Sequence, residues 1–335
     1  MRDQLAKIRS EALAAFENAV QNGCEPILGT KVTGLRRLGA EYIVETDRGE
    51  LSCRAVLNCA GLYADRVHEM LFAPSVRIFP DSADFLVLDR NAPSPGRIIF
   101  HESEEKGKGV TAISTVEGNL LLGPTQRPLE ERPFATTAQG LADLMSGAKE
   151  LLPDVDLAAV IRSFAAVRPN PHAVVLRDGE YVPDGKSIGS FVIENPAPGF
   201  YSLIGVKTPG LTCADELGRY LAEHTAEHLG AQPCGDFSPC RRAITRWNSL
   251  SRAEQAELAG IDPDYGEIVC QCESVTKGEI LAAIARGAVS VDGVKRRVGS
   301  GMGRCQGGRC AIEIARILRE KGIEDPRFKR YPRGG

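Results

Sequence analysis

Four cysteines near the C-terminus constrain the fold of this chain more than any other feature. Cys270 and Cys272 form a Cys-x-Cys pair, and Cys305 and Cys310 form a Cys-x4-Cys pair. The loop that carries the second pair is rich in glycine, with Gly301, Gly303, Gly307 and Gly308. Four thiolates satisfy the two irons of a 2Fe-2S cluster, and glycines let a loop turn its N–H groups toward the cluster sulfurs. The frame therefore predicts an iron-sulfur site and electron transfer.

A zinc site with four cysteine ligands is the main alternative for this frame. Structural zinc sites usually use Cys-x2-Cys or longer spacings, so the tight Cys-x-Cys spacing favours iron. Four unconnected cysteines buried in a core are a third interpretation of the same residues.

The composition indicates a globular chain. Its 335 residues, 43% of them hydrophobic, are enough for one large and one small domain. No run approaches the ~18 consecutive apolar residues of a membrane span, and the charged start lacks the apolar core of a signal peptide. Ten cysteines without an export signal favour a reducing compartment, so we expect a cytoplasmic location. A formal net charge of −3 provides no general basic field for nucleic acid.

The hydrophobic pattern predicts a mixed α/β fold. Residues 4–23 have the spacing of an amphipathic helix, residues 55–61 that of a buried strand, and residues 76–123 that of antiparallel strands. The stretch 231–265 is rich in Pro, Gly, Asp and Arg, which is typical of a linker. The pattern thus predicts a large region over 1–230, a linker over 231–265 and a small cysteine module over 266–330.

Four segments carry a family resemblance: residues 56–65, residues 115–125, residues 167–169, which we interpret as a turn, and residues 205–212. Together they resemble FAD-dependent oxidoreductases of the D-amino-acid-oxidase and glycerol-3-phosphate-dehydrogenase superfamily. The cysteine module resembles the bacterioferritin-associated-ferredoxin-like (BFD-like) 2Fe-2S domain. The resemblance implies an incomplete FAD/NAD(P)-binding-type fold with an antiparallel substrate-domain sheet, followed by a small helical iron-sulfur domain. It places residues 1–230 in the flavin-dependent part.

Two glycine-containing turns are the candidate flavin contacts. Small residues at the end of a strand let the backbone lie against a planar group, and a helix start offers free N–H groups to negative charge. The alternatives are a plain buried strand with a tight exit turn and an ordinary capped helix. Together with the resemblance, these features predict flavin contacts at Ala60, Gly61, Gly205, Pro209, Gly210 and Leu211.

Arg168 and Lys207 are the candidate substrate-binding residues. The guanidinium fork matches the geometry of carboxylate or phosphate, and Lys207 lies in the turn that the family places over the flavin. Each of them is alternatively an ordinary surface charge. The sequence differs from the family pattern at Asp81-Ser-Ala-Asp-Phe85, where relatives have a basic turn. We expect loss of those positive charges to alter the choice of substrate or to weaken the pocket.

The family's dinucleotide-binding motif, Gly-x-Gly-x-x-Gly in a strand-turn-helix, does not occur in this sequence. We therefore expect FAD to bind only with a further N-terminal segment or a flavin-binding partner subunit. A split enzyme, a shortened reading frame and a remodelled protein remain open as explanations.

The resemblance implies an FAD-dependent dehydrogenase of the glycerol-3-phosphate type, which oxidises a small anionic substrate. It implies electron transfer to the 2Fe-2S cluster and onward to a quinone or a carrier protein, with peripheral attachment to a membrane through that acceptor left open. A non-catalytic iron-sulfur subunit of a heteromeric flavoenzyme is the competing function. A zinc-stabilised interaction module is the third.

Overall fold

The computed structural model describes residues 2–100, 109–115, 118–129 and 135–323. The chain divides into two compact units. The central unit consists of residues 25–236, and the terminal unit joins residues 1–24 to residues 237–335. The N-terminal helix therefore groups with the cysteine module, whereas the sequence pattern placed it in the region 1–230.

The described residues form eight helices, the first of which corresponds to the helix predicted over residues 4–23. They are α1 Arg2–Gln21, α2 Ala64–Glu69, α3 Ala138–Leu151, α4 Ala214–Leu229, α5 Arg252–Ile261, α6 Lys277–Ala285, α7 Val291–Val298 and α8 Ala311–Glu320. Helix α5 lies inside the stretch 231–265 that was predicted as a linker. It forms there because Ser251 and Glu254 make a capping box, which satisfies two backbone N–H groups at the helix start.

The strands form four sheets in the described ranges. They are β1 Val32–Leu38, β2 Glu41–Thr46, β3 Gly49–Cys53, β4 Val56–Asn58, β5 Val76–Leu88, β6 Ile98–Phe100, β7 Thr111–Ser114, β8 Leu120–Gly123, β9 Arg127–Pro128, β10 Val160–Arg177, β11 Glu180–Pro183, β12 Val192–Ala197, β13 Phe200–Ile204, β14 Ile268–Cys270 and β15 Val275–Thr276. The predicted mixed α/β fold is confirmed.

The largest sheet of the central unit is antiparallel, as predicted. Its strand order is β11-β10-β5-β8-β7-β6, and β9 also pairs with β5. Alternate residues of β5 are buried, as expected for a strand with one face on a core. Helix α3 covers that face, where Leu144 and Ala148 pack into one apolar cluster with Leu86, Leu88 and Leu122. Thr137 caps this helix by accepting a hydrogen bond of 3.0 Å from the Gly140 N–H.

Strand β10 corrects one local prediction. The segment Val167-Arg168-Pro169 was interpreted as a turn, but it lies within the strand, and Pro169 stands opposite Pro80 of β5. Proline is tolerated there because β11 pairs with β10 only from Val174 onward. At Pro169 no neighbouring strand pairs with the other edge of β10, so the missing N–H of proline costs no hydrogen bond on that side.

Two small sheets complete the central unit. Strands β1, β2 and β3 form an antiparallel meander, and β12, β13 and β4 form a second sheet in which β13 and β4 run parallel. Tyr42, Leu35 and Phe200 form a shared buried cluster. Because β13 and β4 are parallel, both strands end at the same edge of their sheet.

The terminal unit has its own core. Helices α6, α7 and α8 bury a cluster that includes Ile280, Val294, Ile314 and Leu318. Helix α1 joins this unit through Glu17, a largely buried carboxylate surrounded by Arg241, Arg286 and Arg297. None of the described helices combines the length and apolar character that crossing a membrane requires.

Candidate functional site

The four cysteines come from two loops and meet beside α8. Cys270 ends β14, Cys272 follows it by two residues, and Cys310 is the N-cap of α8. Cys270 and Cys310 are buried, with exposed fractions of 1% and 2%. Cys272 is exposed and Cys305 is half-buried. The site thus has a buried side and a side that faces solvent.

The thiols are arranged as two pairs. The Cys272 and Cys305 sulfurs lie 3.6 Å apart, and the Cys310 thiol is hydrogen-bonded to Cys270. Among the described residues, no three His, Cys, Asp or Glu side chains gather closely enough to hold a single metal ion. In a 2Fe-2S cluster each iron takes two of the four thiolates. The paired arrangement fits that donor set, with one pair for each iron.

Hydrogen bonding within the buried pair gives the Cys270 and Cys310 thiols different pKa values. The bond from Cys310, aided by backbone N–H groups, lowers the pKa of Cys270 to about 6, although burial acts in the opposite direction. The same bond, together with burial, raises the pKa of Cys310 above its ordinary value. Cys270 is therefore the thiol that loses its proton first, and the thiolate is the form that binds metal.

The glycine-rich loop packs closely against the cysteines. The N–H of Gly301 lies 3.5 Å from the Cys270 sulfur, and Gly301 and Gly307 adopt φ values of +75° and +88°. A Cβ on Gly303 would overlap the side chain of Cys272. These positions need glycine because of backbone conformation in the first two cases and close approach in the third. The loop thus fits the predicted role of wrapping a cluster.

The predicted flavin contacts lie at the edge where β4 and β13 end. The register pairs Ser202 with Asn58, so Ala60 and Gly61 leave β4 beside the point where Gly205 leaves β13. Gly61 has a φ of +57° and open space where a Cβ would stand. Gly205 has a φ of +71°, and a Cβ there would overlap the ring of Pro171. Ligands of open sheets bind outside the carboxyl ends of parallel strands, so this edge suits one face of a planar group.

The other predicted flavin contacts form the turn before α4. Pro209 and Leu211 are exposed and Gly210 is buried. The carbonyl of Pro209 accepts a hydrogen bond of 3.0 Å from the N–H of Thr212. Helix α4 begins three residues after Leu211, and its first turn carries Asp215 and Glu216. Because these carboxylates already complement the positive helix end, the exposed turn itself is the better candidate for contact with a ligand.

Arg168 and Lys207 interact electrostatically, although they come from β10 and from the loop after β13. The Lys207 ammonium donates a hydrogen bond of 2.8 Å to the carbonyl of Ile188. Burial and the nearby positive charge of Arg168 lower the pKa of Lys207, and Asp81 opposes this shift. Two cations and one carboxylate therefore share one region of the central unit.

Sequence reasoning missed how Asp81 is held in this region. Asp81 lies opposite Arg168 in the β5–β10 register. One oxygen of its carboxylate accepts hydrogen bonds of 2.7 Å from Asn170 and 2.8 Å from Gln126. Side chains alternate between the two faces of β5 and β10, which could have suggested that Asp81 and Arg168 share a face. The register that sets them opposite each other could not be predicted from either strand alone.

A buried polar network that sequence reasoning also missed links the two strands that end at the flavin edge. The amide of Asn58 donates a hydrogen bond of 3.0 Å to the hydroxyl of Ser202, and this hydroxyl lies 3.0 Å from Nδ1 of His68. Nε2 of His68 lies 3.2 Å from Glu194. Ser202 and His68 are 0% and 2% exposed. The available signal was a serine inside the otherwise apolar strand Phe200–Ile204.

Comparison with known proteins assigns the chain to a family. The family model described as FAD dependent oxidoreductase matches residues 9–224. The chain belongs to this family. A second model, the BFD-like [2Fe-2S] binding domain, matches residues 268–320, which include the four cysteines. The predicted family and the predicted FAD and 2Fe-2S cofactors are confirmed.

The chain is similar to several glycerol-3-phosphate enzymes. It is 35% identical over 322 residues to a glycerol 3-phosphate dehydrogenase of Caloramator mitchellensis, covering 93% of this chain and 64% of that protein. It is 24% identical to one subunit of the anaerobic glycerol-3-phosphate dehydrogenase of Escherichia coli strain K12, covering 91% of this chain and 61% of the relative. The chain thus spans less than two thirds of the length of these relatives.

The fold agrees with that of a solved structure. The structure of the glycerol-3-phosphate dehydrogenase from Bacillus halodurans complexed with FAD aligns with a TM-score of 0.57 and 16% identity. The alignment covers 94% of this chain and 73% of that one. At this identity the likeness supports the fold alone.

Proposed function

We propose that this chain supplies the substrate-binding and iron-sulfur parts of an FAD-dependent dehydrogenase of the glycerol-3-phosphate type. The proposal depends on one observation above all. The charges of Arg168 and Lys207 interact within the central unit, which also contains the edge where Gly61 and Gly205 leave their parallel strands. The terminal unit supplies the second requirement, a paired four-thiol site for one-electron transfer.

The chain's own residues bind and orient the substrate in this proposal. When bound, FAD supplies an acceptor for hydride, and the 2Fe-2S cluster supplies a one-electron carrier. The Arg168 guanidinium and the Lys207 ammonium bind the anionic group, which fixes the distance between the substrate C–H bond and the flavin edge. The hydrogen bond from Lys207 to the Ile188 carbonyl limits the positions that the ammonium can take.

The charge balance of the region favours a small anion. Arg168 and Lys207 contribute two positive charges and Asp81 contributes one negative charge. A net single positive charge suits a carboxylate or a phosphate ester and leaves Asp81 as an acceptor for a substrate hydroxyl or ammonium. A polyol phosphate, a hydroxy acid and an amino acid all satisfy this chemistry.

FAD binding in this proposal requires protein beyond the residues of this chain. The sequence contains no Gly-x-Gly-x-x-Gly motif in a strand-turn-helix, so the pyrophosphate site comes from a further segment or from a partner subunit. One relative carries the name of a subunit, which supports a heteromeric assembly. The cluster passes its electrons to a quinone or a carrier protein, and we place the assembly in the cytoplasm.

A non-catalytic electron-transfer subunit is the second candidate function. It is favoured by the independence of the terminal unit, which has its own core and its own four-thiol site. In that case the partner subunit supplies both the flavin and the substrate site, and substitution of Arg168 or Lys207 leaves substrate oxidation unchanged.

The test starts with cofactor content. Anaerobically prepared protein should contain iron and acid-labile sulfide in equal amounts and show sulfur-to-iron charge-transfer bands. Colourless protein with stoichiometric zinc would contradict the cluster and support the zinc-stabilised module.

The second part of the test uses the assembled flavoenzyme. Flavin reduction is followed with glycerol 3-phosphate, a hydroxy acid and an amino acid as substrates. Lys207→Met and Arg168→Met should each raise KM at least tenfold for the substrate that is oxidised. Arg177→Met is the matched control, because Arg177 lies on the same strand as Arg168 but is 66% exposed. Equal KM values in all four proteins would assign catalysis to the partner.

A further inference from the structure

Ser300 lies in the glycine-rich loop and has an unsatisfied hydroxyl. The residue is 1% exposed, and its Oγ has no hydrogen-bond partner among the residues that the structure describes. A buried hydroxyl without a partner destabilises a fold, so such groups in native proteins are usually paired with something. The position of Ser300 therefore calls for a partner that the polypeptide does not supply.

The surroundings of Ser300 identify that partner. The next residue, Gly301, directs its N–H toward the Cys270 sulfur at 3.5 Å. Further along the loop, Gly303 packs against Cys272 so closely that a Cβ would not fit. Ser300 thus begins a segment whose backbone already faces two of the four cysteines. Thiolate and cluster sulfur atoms accept hydrogen bonds, so they are the candidate partners for this hydroxyl.

A second serine in the same unit shows what an ordinary buried hydroxyl does here. Ser290 is 7% exposed, and its Oγ accepts a hydrogen bond of 3.0 Å from the N–H of Gly293 at the start of α7. Its role in capping the helix is complete within the polypeptide. Ser300 has no such structural task, although it is more deeply buried.

We infer that the Ser300 hydroxyl donates a hydrogen bond to a sulfur atom of the 2Fe-2S cluster and thereby sets its reduction potential. Reduction adds one electron and increases the negative charge on the sulfurs. A donor to those sulfurs stabilises the reduced form more than the oxidised form and raises the potential. Ser300 is a positioning and tuning residue in this inference, and the cysteines remain the ligands. The inference needs the cluster but not the flavin chemistry, so it stands or fails separately from the proposed substrate oxidation.

The experiment measures the midpoint potential of the full chain loaded with iron and sulfide. The reduced cluster is followed by electron paramagnetic resonance in an anaerobic redox titration, without substrate or flavin. Ser300→Ala should reduce the ratio of reduced to oxidised cluster at a fixed ambient potential about tenfold, which is ~59 mV for a one-electron couple. Ser300→Thr keeps the hydroxyl and should retain the wild-type potential.

Ser290→Ala is the matched control. It should lower the stability of the terminal unit through loss of the cap and leave the potential unchanged. Equal potentials in the wild type and Ser300→Ala would overturn the inference, as would an equal fall in Ser290→Ala. A Ser300→Ala protein that folds but takes up no cluster would assign the hydroxyl to assembly and would also contradict it.

Discussion

Glu17 provides the sharpest test of the way the two ends of the chain combine. This carboxylate of α1 is 12% exposed and lies 3.1 Å from a guanidinium nitrogen of Arg241, 3.1 Å from one of Arg286 and 3.7 Å from one of Arg297. Burial lowers the pKa of Arg297, and the charge of Glu17 opposes that shift. Glu17→Gln would leave three clustered positive charges with no carboxylate between them.

The expected loss of stability follows from this burial. Removing one partner of a fully buried ion pair costs about 3 to 5 kcal/mol, because the remaining charge stays desolvated. The arginine side chains are between 10% and 24% exposed, so solvent screens part of this effect. We therefore expect about 3 kcal/mol for Glu17→Gln, compared with less than about 1 kcal/mol for an exposed pair.

Trp247 makes the measurement specific. It is the single tryptophan of the chain and lies in the terminal unit, so its fluorescence reports unfolding of that unit alone. With a slope of about 1.5 kcal/mol per molar urea, Glu17→Gln should lower the midpoint by about 2 M. Glu320→Gln is the control, because its pair with Arg316 on α8 is half exposed on both sides. Equal shifts for the two variants would refute the proposed docking of α1 through Glu17.

Three further predictions concern the cofactor and substrate sites. Cys272→Ser should abolish the charge-transfer bands, since one iron then lacks a full set of thiolate ligands, and visible absorption of anaerobic protein checks this. Asp81→Asn should strengthen anion binding by the assembled enzyme about tenfold at neutral pH, because it removes a negative charge near Lys207. Lys207 binds an anion while it is protonated, so the affinity for the anion falls as pH rises through the pKa of Lys207. Without Asp81 that pKa falls, so a pH titration of inhibitor binding should show the affinity lost at a lower pH. Gly205→Ala should destabilise the central unit by about 2 kcal/mol or more, because alanine is strained at a left-handed φ and its Cβ would overlap a proline ring. A thermal melt measures this loss.

Each of these predictions has a clear contrary result. A Cys272→Ser protein that stays coloured would show that another residue is the ligand. If inhibitor binding by Asp81→Asn kept the wild-type pH dependence, Asp81 would not influence the pKa of Lys207. Gly179→Ala is the control for Gly205→Ala, since it shares a positive φ but has open space around it. Equal losses in the two glycine variants would remove the contact with Pro171 from the argument.

Local sequence features predicted the parts of the structure that depend on local physics. The two cysteine pairs, the helix at 4–23 and the antiparallel strands after residue 76 all depend on spacing that is visible in a short window. The prediction placed a turn at Val167-Arg168-Pro169 within what is strand β10, and proline is unusual inside a sheet. Only the pairing with β5 shows that one side of the strand carries no ladder at that point.

Features that depend on distant residues were not predictable from the same patterns. Glu17 and its three arginine partners are separated by more than two hundred residues, so the sequence offered no reason to join α1 to the cysteine module. The approach of Lys207 to Asp81 and Arg168 likewise depends on how a loop after β13 folds against β5 and β10. Such contacts arise from tertiary packing, which residue spacing does not encode.

The unequal burial of the two thiol pairs has a chemical consequence for the lifetime of the site. Water, dioxygen and chelators reach Cys272 and Cys305 before they reach Cys270 and Cys310. Decay of the cluster in air should therefore begin at the outer iron and leave the inner thiolates bound for longer.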